Sequence, residues 1–274
     1  MEQITSRQNE TIKRYSRLLK SPAERREQGL YLCEGARLCC DAVESGVAVA
    51  ACYVTEQAYG KYQRYCDVIL EAAEQKVWIS EHIAPLLSDT KNPQGVFCVC
   101  RLPAKERSLA SVASNGCYLA LETVQDPANL GTVLRTAEAL GVSGVILSGG
   151  CDPFGPKVLR GSMGAVFRLP VFLCDDMAAA MQQLNGSGFQ TLAAVVDPAA
   201  ESVLSVDCTV PTVMVIGNEG NGLTAETIAA CTHQVTIPML GRAESLNASA
   251  ASSILLWEMM RGRTGDETGG CQHG

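Results

Sequence analysis

The chain has 274 residues, of which 47% are apolar and 19% are charged, and its formal net charge is −7. This balance is typical of a globular protein long enough for two domains of about 100–200 residues each, and it excludes a disordered chain. No run of about 18 uncharged apolar residues is present that could span a membrane. The polar, acidic start lacks the apolar core of a secretory signal, so we expect a cytoplasmic protein.

The charge is distributed unevenly along the chain. Residues 1–105 contain 14 Lys and Arg against 13 Asp and Glu, a net charge of +1, whereas the rest contains 8 against 16, a net charge of −8. The first 26 residues are especially basic, with Arg7, Lys13, Arg14, Arg17, Lys20, Arg25 and Arg26. Such a face can neutralise RNA phosphates, but a solvated helix surface would have the same composition.

The first third has the pattern of a small α/β unit. We predict helices over residues 9–20, 36–44 and 57–74, and strands over residues 29–33, 50–54 and 95–100. Residues 101–116 lose the apolar periodicity, which is typical of a linker. The predicted organisation is therefore an RNA substrate-binding domain (1–105), a linker (106–116), a second domain (117–262) and a disordered tail (263–274).

From residue 117 onward, apolar strands alternate with amphipathic helices. Strands are predicted over residues 118–124, 144–147, 192–196, 213–216 and 235–238, and helices near residues 130–140 and over residues 247–261. Continuous apolar strands in βα alternation predict a buried parallel sheet and an α/β fold.

Thirteen cysteines suggest a metal site or disulfides at first sight, but no Cys-x-x-Cys is present and the number is odd. Most of them lie in apolar strings, where thiols behave as small hydrophobic groups. We therefore expect reduced core cysteines. The three histidines, His82, His233 and His273, are scattered, so no metal site is predicted.

Three motif segments place polar residues and glycines where a plain α/β core does not need them. The first (residues 126–138) connects a strand to a helix, which is where open α/β sheets bind ligands. It contains Asn129, which could simply be the N-cap of the helix, and Arg135, which we expect to be partly buried or directed at an anion.

The second motif segment (residues 213–223) is an apolar strand that leads into Gly217, Gly220 and Gly222. Glycine at such a density indicates a sharp turn or a close backbone approach to a ligand. Their order is not that of a dinucleotide-binding loop, which disfavours a nicotinamide-dependent oxidoreductase. A tight structural turn stays an alternative explanation.

The third motif segment (residues 236–251) combines a strand end, an apolar loop and the start of a helix. Capping explains Ser245 or Asn247 singly. It does not explain both of them together with the apolar Ile237-Pro238-Met239 loop, which would suit an adenine ring.

Together, the three motif segments resemble the SpoU family of RNA ribose 2′-O-methyltransferases, within the SPOUT superfamily. The likeness covers residues 117–262, and residues 31–38 and 87–96 more weakly resemble that family's ribosomal-protein-like substrate-binding domain. Ala128 departs from the family's usual glycine, which we expect to alter only a loop.

The resemblance implies a deep trefoil knot in the C-terminal domain, a homodimer formed through the knotted domains, and S-adenosylmethionine as the cofactor. The cofactor would be held by backbone atoms of Gly217, Ile237, Met239 and Leu246. The resemblance further implies a catalytic set, which consists of Arg135, Asn129, Glu219, Ser245 and Asn247. Within that set Arg135 would contact the substrate phosphate or hydroxyl.

The attached N-terminal domain favours large-subunit ribosomal RNA as the substrate, with transfer RNA as the runner-up. A catalytically silent, knotted RNA-binding assembly factor is the alternative from a different class of protein. The complete set of polar residues argues against it, and a cofactor-binding measurement would separate the two.

Overall fold

The computed structural model describes residues 2–103, 109–261 and 263. The chain forms two compact units, one of Met1–Lys105 with Asp152–Arg168 and one of Glu106–Cys151 with Leu169–Gly274. Residues 152–168, which the sequence assigns to the 117–262 domain, thus pack with the N-terminal unit. Within the described ranges no helix is long and apolar enough to cross a membrane.

The secondary structure alternates between strands and helices along the described residues. The strands are β1 (Glu2–Ile4), β2 (Leu30–Glu34), β3 (Val49–Val54), β4 (Gln75–Ile79), β5 (Val96–Arg101), β6 (Cys117–Glu122), β7 (Gly144–Ser148), β8 (Val171–Cys174), β9 (Gln190–Ala194), β10 (Glu201–Ser202), β11 (Thr212–Ile216) and β12 (His233–Thr236). The α-helices are α1 (Glu10–Lys20), α2 (Pro22–Gln28), α3 (Ala36–Glu44), α4 (Glu56–Ala72), α5 (Pro127–Ala139), α6 (Pro156–Ser162), α7 (Ala165–Arg168), α8 (Met177–Gly186), α9 (Ala225–Ala230) and α10 (Ala248–Arg261).

The N-terminal unit is built on a five-stranded mixed sheet in the order β1-β4-β3-β5-β2. Helix α1 covers one face, where Tyr15 meets the ring of Tyr53 at 5.9 Å in a core that also holds Phe97. Helices α3 and α4 pack on the opposite face, which carries Cys52 and Cys98. The side chains of a strand alternate between the two faces, so each strand serves both layers.

Residues 152–168 dock on this unit through charge and aromatic contacts. Tyr31 lies between Phe154 and Phe167, with ring centroids at 5.0 and 6.4 Å. The ion pairs are Arg25–Asp152 (2.7 Å), Arg168–Asp41 (2.7 Å) and Arg160–Asp89. Because Arg25 is only 4% exposed, it belongs to this interface and is not available to the basic surface in which the sequence placed it.

The second unit is a seven-stranded sheet in the order β10-β12-β9-β11-β6-β7-β8, and every recorded pairing in it is parallel. The predicted parallel sheet is therefore confirmed. Helices α8 and α9 pack together, as do α5 and α10. Helix α5 buries an apolar stripe that consists of Leu130, Val133, Leu134 and Ala137.

The end of the chain and the cysteines also bear on the predictions. Arg263, assigned to the disordered tail, donates hydrogen bonds to the backbone carbonyls of Cys208 (2.9 Å) and Thr209 (2.8 Å), so that assignment was wrong for this residue. Residues 264–274 lie outside the described part. The twelve described cysteines are all free thiols and eight of them are buried, as the sequence predicted for core cysteines.

Candidate active site

The three motif segments converge at the carboxyl edge of the parallel sheet. Strands β6 and β11 are neighbours, with Leu121 opposite Ile216, so the loops that follow them leave the sheet side by side. In an open parallel α/β sheet this edge is where ligands bind. The first and second motif segments supply these two loops.

The loop after β11 is a tight turn that requires glycine. Asn218 and Gly222 exchange two backbone hydrogen bonds of 2.9 Å. A Cβ atom on Gly217 would lie 2.1 Å from the carbonyl carbon of Gly222 and 2.2 Å from the amide nitrogen of Leu223. The Asn218 side chain donates to the carbonyl of Thr123 at 2.9 Å and accepts from the backbone N–H of Gly220. The turn is thereby fastened to the loop after β6.

Glu219 joins the second motif segment to the first. Its carboxylate accepts hydrogen bonds from the backbone N–H groups of Gln125 (3.1 Å) and Asp126 (3.2 Å) and from the side-chain amide of Asn129 (3.1 Å). Burial acts to raise the pKa of Glu219, but the hydrogen bonds from Asn129, Gln125 and Asp126 outweigh it and lower the pKa below its ordinary value. The group is therefore an ionised acceptor.

Asn247 joins the third motif segment to the other two. Its side-chain amide donates to Oδ1 of Asn129 at 3.2 Å, while its own Oδ1 accepts from the backbone N–H of Ser249 at 2.9 Å and so caps α10. The capping role considered for Asn247 is real, but Asn129 is not the N-cap of α5. Asp126 holds that position and accepts from the N–H of Ala128, which leaves Asn129 free to link Glu219 to Asn247.

A cleft of about 450 Å³ opens beside this hydrogen-bonded chain. All four residues expected to hold the cofactor line it, together with two members of the expected catalytic set. These six residues are Gly217, Ile237, Met239, Leu246, Glu219 and Ser245. The size is within the usual range of about 300–1,000 Å³ for small-molecule sites. Because Gly217 lets the backbone turn closely at the wall and the walls combine apolar with polar side chains, the cleft fits a nucleoside cofactor.

Arg135 lies apart from the cleft lining. It is an exposed residue on α5, and within the described residues it makes neither an ion pair nor a hydrogen bond. Of the two alternatives expected for Arg135, partly buried or directed at an anion, its exposure excludes the first, because the apolar stripe of α5 faces the sheet and Arg135 lies outside that stripe. The described ranges also hold no group of three His, Cys, Asp or Glu side chains arranged to bind a metal ion.

Two residues at the end of β6 were missed by the sequence analysis. Glu122 is only 6% exposed and accepts hydrogen bonds from the backbone N–H of Thr224 (2.8 Å) and the hydroxyl of Thr227 (2.6 Å), at the start of α9. Thr123 has a φ of +53°, which is unusual for a β-branched residue. The signal available in the sequence was Glu122 itself, an acidic residue at the end of the otherwise apolar strand β6.

Comparison with known proteins identifies relatives of both parts of the chain. Residues 116–257 match the SpoU rRNA Methylase family and residues 9–98 match the MRM3-like substrate binding domain. The 23S rRNA (guanosine(2553)-2′-O)-methyltransferase RlmP of Bacillus subtilis is 30% identical over 94% of this chain and 99% of its own. The 23S rRNA (uridine(2479)-2′-O)-methyltransferase of Streptomyces viridochromogenes is 29% identical over 97% and 94%.

Among solved structures, the SpoU methyltransferase AviRb of Streptomyces viridochromogenes, in complex with AdoMet, superimposes with a TM-score of 0.84. It is 26% identical, and the match covers 94% of this chain and 99% of AviRb. Both the sequence match, which spans more than half of the chain, and the full-length relatives lead to one assignment. This chain belongs to the SpoU rRNA methylase family.

Proposed function

We propose that this protein transfers a methyl group from S-adenosylmethionine to a ribose 2′-hydroxyl of large-subunit ribosomal RNA. The observation that carries the proposal is the hydrogen-bonded chain Glu219–Asn129–Asn247, which ties the three motif segments together beside the cleft. The two relatives named as 23S rRNA 2′-O-methyltransferases favour ribosomal over transfer RNA. Because the protein must reach this RNA, we propose that it acts in the cytoplasm.

The chemical difficulty is that a ribose hydroxyl is a poor nucleophile. When bound, the cofactor supplies an electrophilic methyl group, so no covalent enzyme intermediate is needed. The protein must hold the hydroxyl in line and help it lose its proton, and such positioning contributes up to about 7–11 kcal/mol. We assign Asn129, Glu219, Ser245 and Asn247 to the polar shell that fixes this geometry.

We assign Arg135 a role in contacting the RNA substrate. It is exposed and has no acidic partner among the described residues, so its guanidinium group can take a phosphate or the reacting hydroxyl. Because arginine stays protonated, it acts by orientation and by lowering the pKa of the hydroxyl, and not as a general base.

Two structural features expected from the family belong to the same proposal. A trefoil knot would enclose the cofactor with residues 237–247, several of which line the cleft. A homodimer would cover large apolar side chains that are exposed in this loop and on α10: Leu240 is fully exposed, Trp257 is 54% exposed and Ile254 is 41% exposed. Groups of this kind are common at protein interfaces.

The basic residues of the N-terminal unit would supply phosphate contacts. Arg7, Arg14 and Arg17 are exposed, and they lie in or beside the range that matches a substrate binding domain. Each Lys or Arg that neutralises a phosphate adds about 0.7–0.9 to the salt slope of RNA binding.

The decisive experiment incubates the purified protein with methyl-labelled S-adenosylmethionine and deproteinised large-subunit RNA, with transfer RNA in a parallel reaction. We expect label in the large-subunit RNA, at a linkage that becomes resistant to alkali because its 2′-hydroxyl is blocked. Label in transfer RNA alone would move the substrate to the runner-up. Cofactor binding without transfer to either RNA would favour the silent assembly factor.

A further inference from the structure

Helix α4 carries an unusual concentration of aromatic residues. Tyr59, Tyr62 and Tyr65 fall within seven positions, and Trp78 of β4 contacts Tyr59 edge to face at 5.4 Å. These are four of the 14 Tyr, Phe and Trp residues of the chain. The edge contact accounts for Tyr59 and Trp78, and Tyr62 is half-buried beside the buried stripe of the helix, whereas Tyr65 needs another explanation.

Core packing does not provide it. The residues that α4 buries are the small or aliphatic Ala58, Cys66 and Ile69. Tyr65 lies outside this stripe and is 37% exposed. At Tyr62, which is half-buried one turn from Ala58 and one turn from Cys66, the helix departs from helical geometry, with φ −124° and ψ 29°, so a kink precedes the exposed Tyr65.

The exposed side of α4 around Tyr65 also carries two cationic side chains. Lys61 and Arg64 are exposed, and neither forms an ion pair with a described residue. The amino group of Lys61 lies 5.1 Å from the ring centroid of Tyr62. Asp67, the acidic residue one turn beyond Arg64, instead accepts a hydrogen bond of 2.9 Å from the hydroxyl of Tyr59.

Aromatic rings interleaved with cationic side chains have a specific complement. Unpaired bases stack on aromatic rings while lysine and arginine neutralise the adjoining phosphates, and the bases of a duplex cannot be reached in this way.

We propose that the α4 tyrosine face, formed by Lys61, Tyr62, Arg64 and Tyr65, binds unpaired nucleotides of the RNA substrate by stacking. The inference rests on the proposed function, since it takes the RNA to be the ligand of this unit. It assigns a different role to α4 than to α1: the two helices lie on opposite faces of the sheet, and α1 offers charge without a comparable set of exposed rings.

The test measures RNA affinity and its salt dependence in the full-length protein. The probes are a single-stranded fragment of large-subunit RNA and a duplex of the same length. Tyr65→Ala should weaken single-strand binding at least about fivefold without changing the salt slope, because stacking involves no counterion release. Tyr65→Phe keeps the ring and is the matched control, with affinity close to wild type.

A variant without the two positive charges should change the salt slope, which Tyr65→Ala leaves unchanged. Replacing Lys61 and Arg64 together by Gln should lower the salt slope for single strands by about 1.4, at about 0.7 for each charge. Cofactor binding, measured by calorimetry, should be unchanged in every variant, which also checks that each one is folded.

Two outcomes would overturn the inference and remain distinguishable. If the wild-type protein methylates RNA and Tyr65→Ala binds single strands as well as wild type, only the role of α4 is wrong. If the wild-type protein neither binds nor methylates RNA, the proposed function is overturned and this inference with it. Equal losses in Tyr65→Ala and Tyr65→Phe would point to the hydroxyl group, and thus against stacking.

Discussion

Replacing Gly217 by alanine should weaken cofactor binding, because the substitution distorts the backbone of the loop after β11. The new Cβ would lie 2.1–2.3 Å from backbone atoms of Gly222 and Leu223, and these atoms cannot move aside as a flexible side chain could. The turn must open, which breaks the two 2.9 Å hydrogen bonds between Asn218 and Gly222.

The size of the effect follows from these contacts. Two hydrogen bonds contribute about 1 kcal/mol each, and overpacking costs about 1–3 kcal/mol, so we expect a loss of about 3–5 kcal/mol. Because the loop is a wall of the cleft, most of this loss should appear as an affinity for S-adenosylmethionine at least about tenfold weaker than wild type.

Gly220→Ala is the matched control in the same turn. Its Cβ would contact only Oδ1 of Asn218, at 3.4 Å, and its φ is not positive, so its affinity should stay within about twofold of wild type. Calorimetry gives the affinities, and urea unfolding shows whether both variants are folded. If Gly217→Ala bound the cofactor as well as Gly220→Ala, the close approach would not be what shapes the cleft.

Three further predictions concern the polar residues. Arg135→Ala should abolish RNA methylation while cofactor affinity, measured by calorimetry, stays near wild type, and Arg135→Lys should restore activity only in part because lysine lacks the planar fork. Glu219 has a lowered pKa, so its stabilising contribution is present above its ordinary pKa and is lost as the pH falls through the lowered value; acid titration of unfolding should show this loss in wild type and not in Glu219→Gln. Glu122→Leu should lower the free energy of unfolding by about 3 kcal/mol, because the donors of Thr224 and Thr227 lose their acceptor, and Glu122→Gln should lose less in the same urea titration.

Local patterns of apolar residues, glycines and polar residues were enough to predict the main elements of the second unit. The apolar run of β11, the helical stripe of α5 and the order of the three motif segments predicted a parallel sheet with a site at its carboxyl edge. Short edge strands such as β1 and β10 carry too few residues for a detectable alternation.

The features that could not be predicted depend on contacts between residues that are far apart in the sequence. Arg25 and Asp152 are 127 positions apart, so no local pattern indicates that residues 152–168 leave the second unit to pack with the first. The N-cap of α5 was misjudged for a related reason: Asp126 and Asn129 are both competent caps, and the acceptor Glu219, 90 positions from Asn129, gives the asparagine a different partner.

The hydrogen bonds of the site separate its polar residues into two groups. Both ends of the Asn129 amide are engaged, by Glu219 and by Asn247, and those two residues are in turn bonded to backbone N–H groups. A side chain whose donors and acceptors are already satisfied holds a framework in place, and it would lose those bonds if it turned toward a substrate. Arg135 and Ser245 form no hydrogen bond with the described residues, so contact with a substrate would cost neither of them an existing bond. This division supports a mechanism in which a rigid amide–carboxylate chain fixes the loops and a free guanidinium group acts on the RNA.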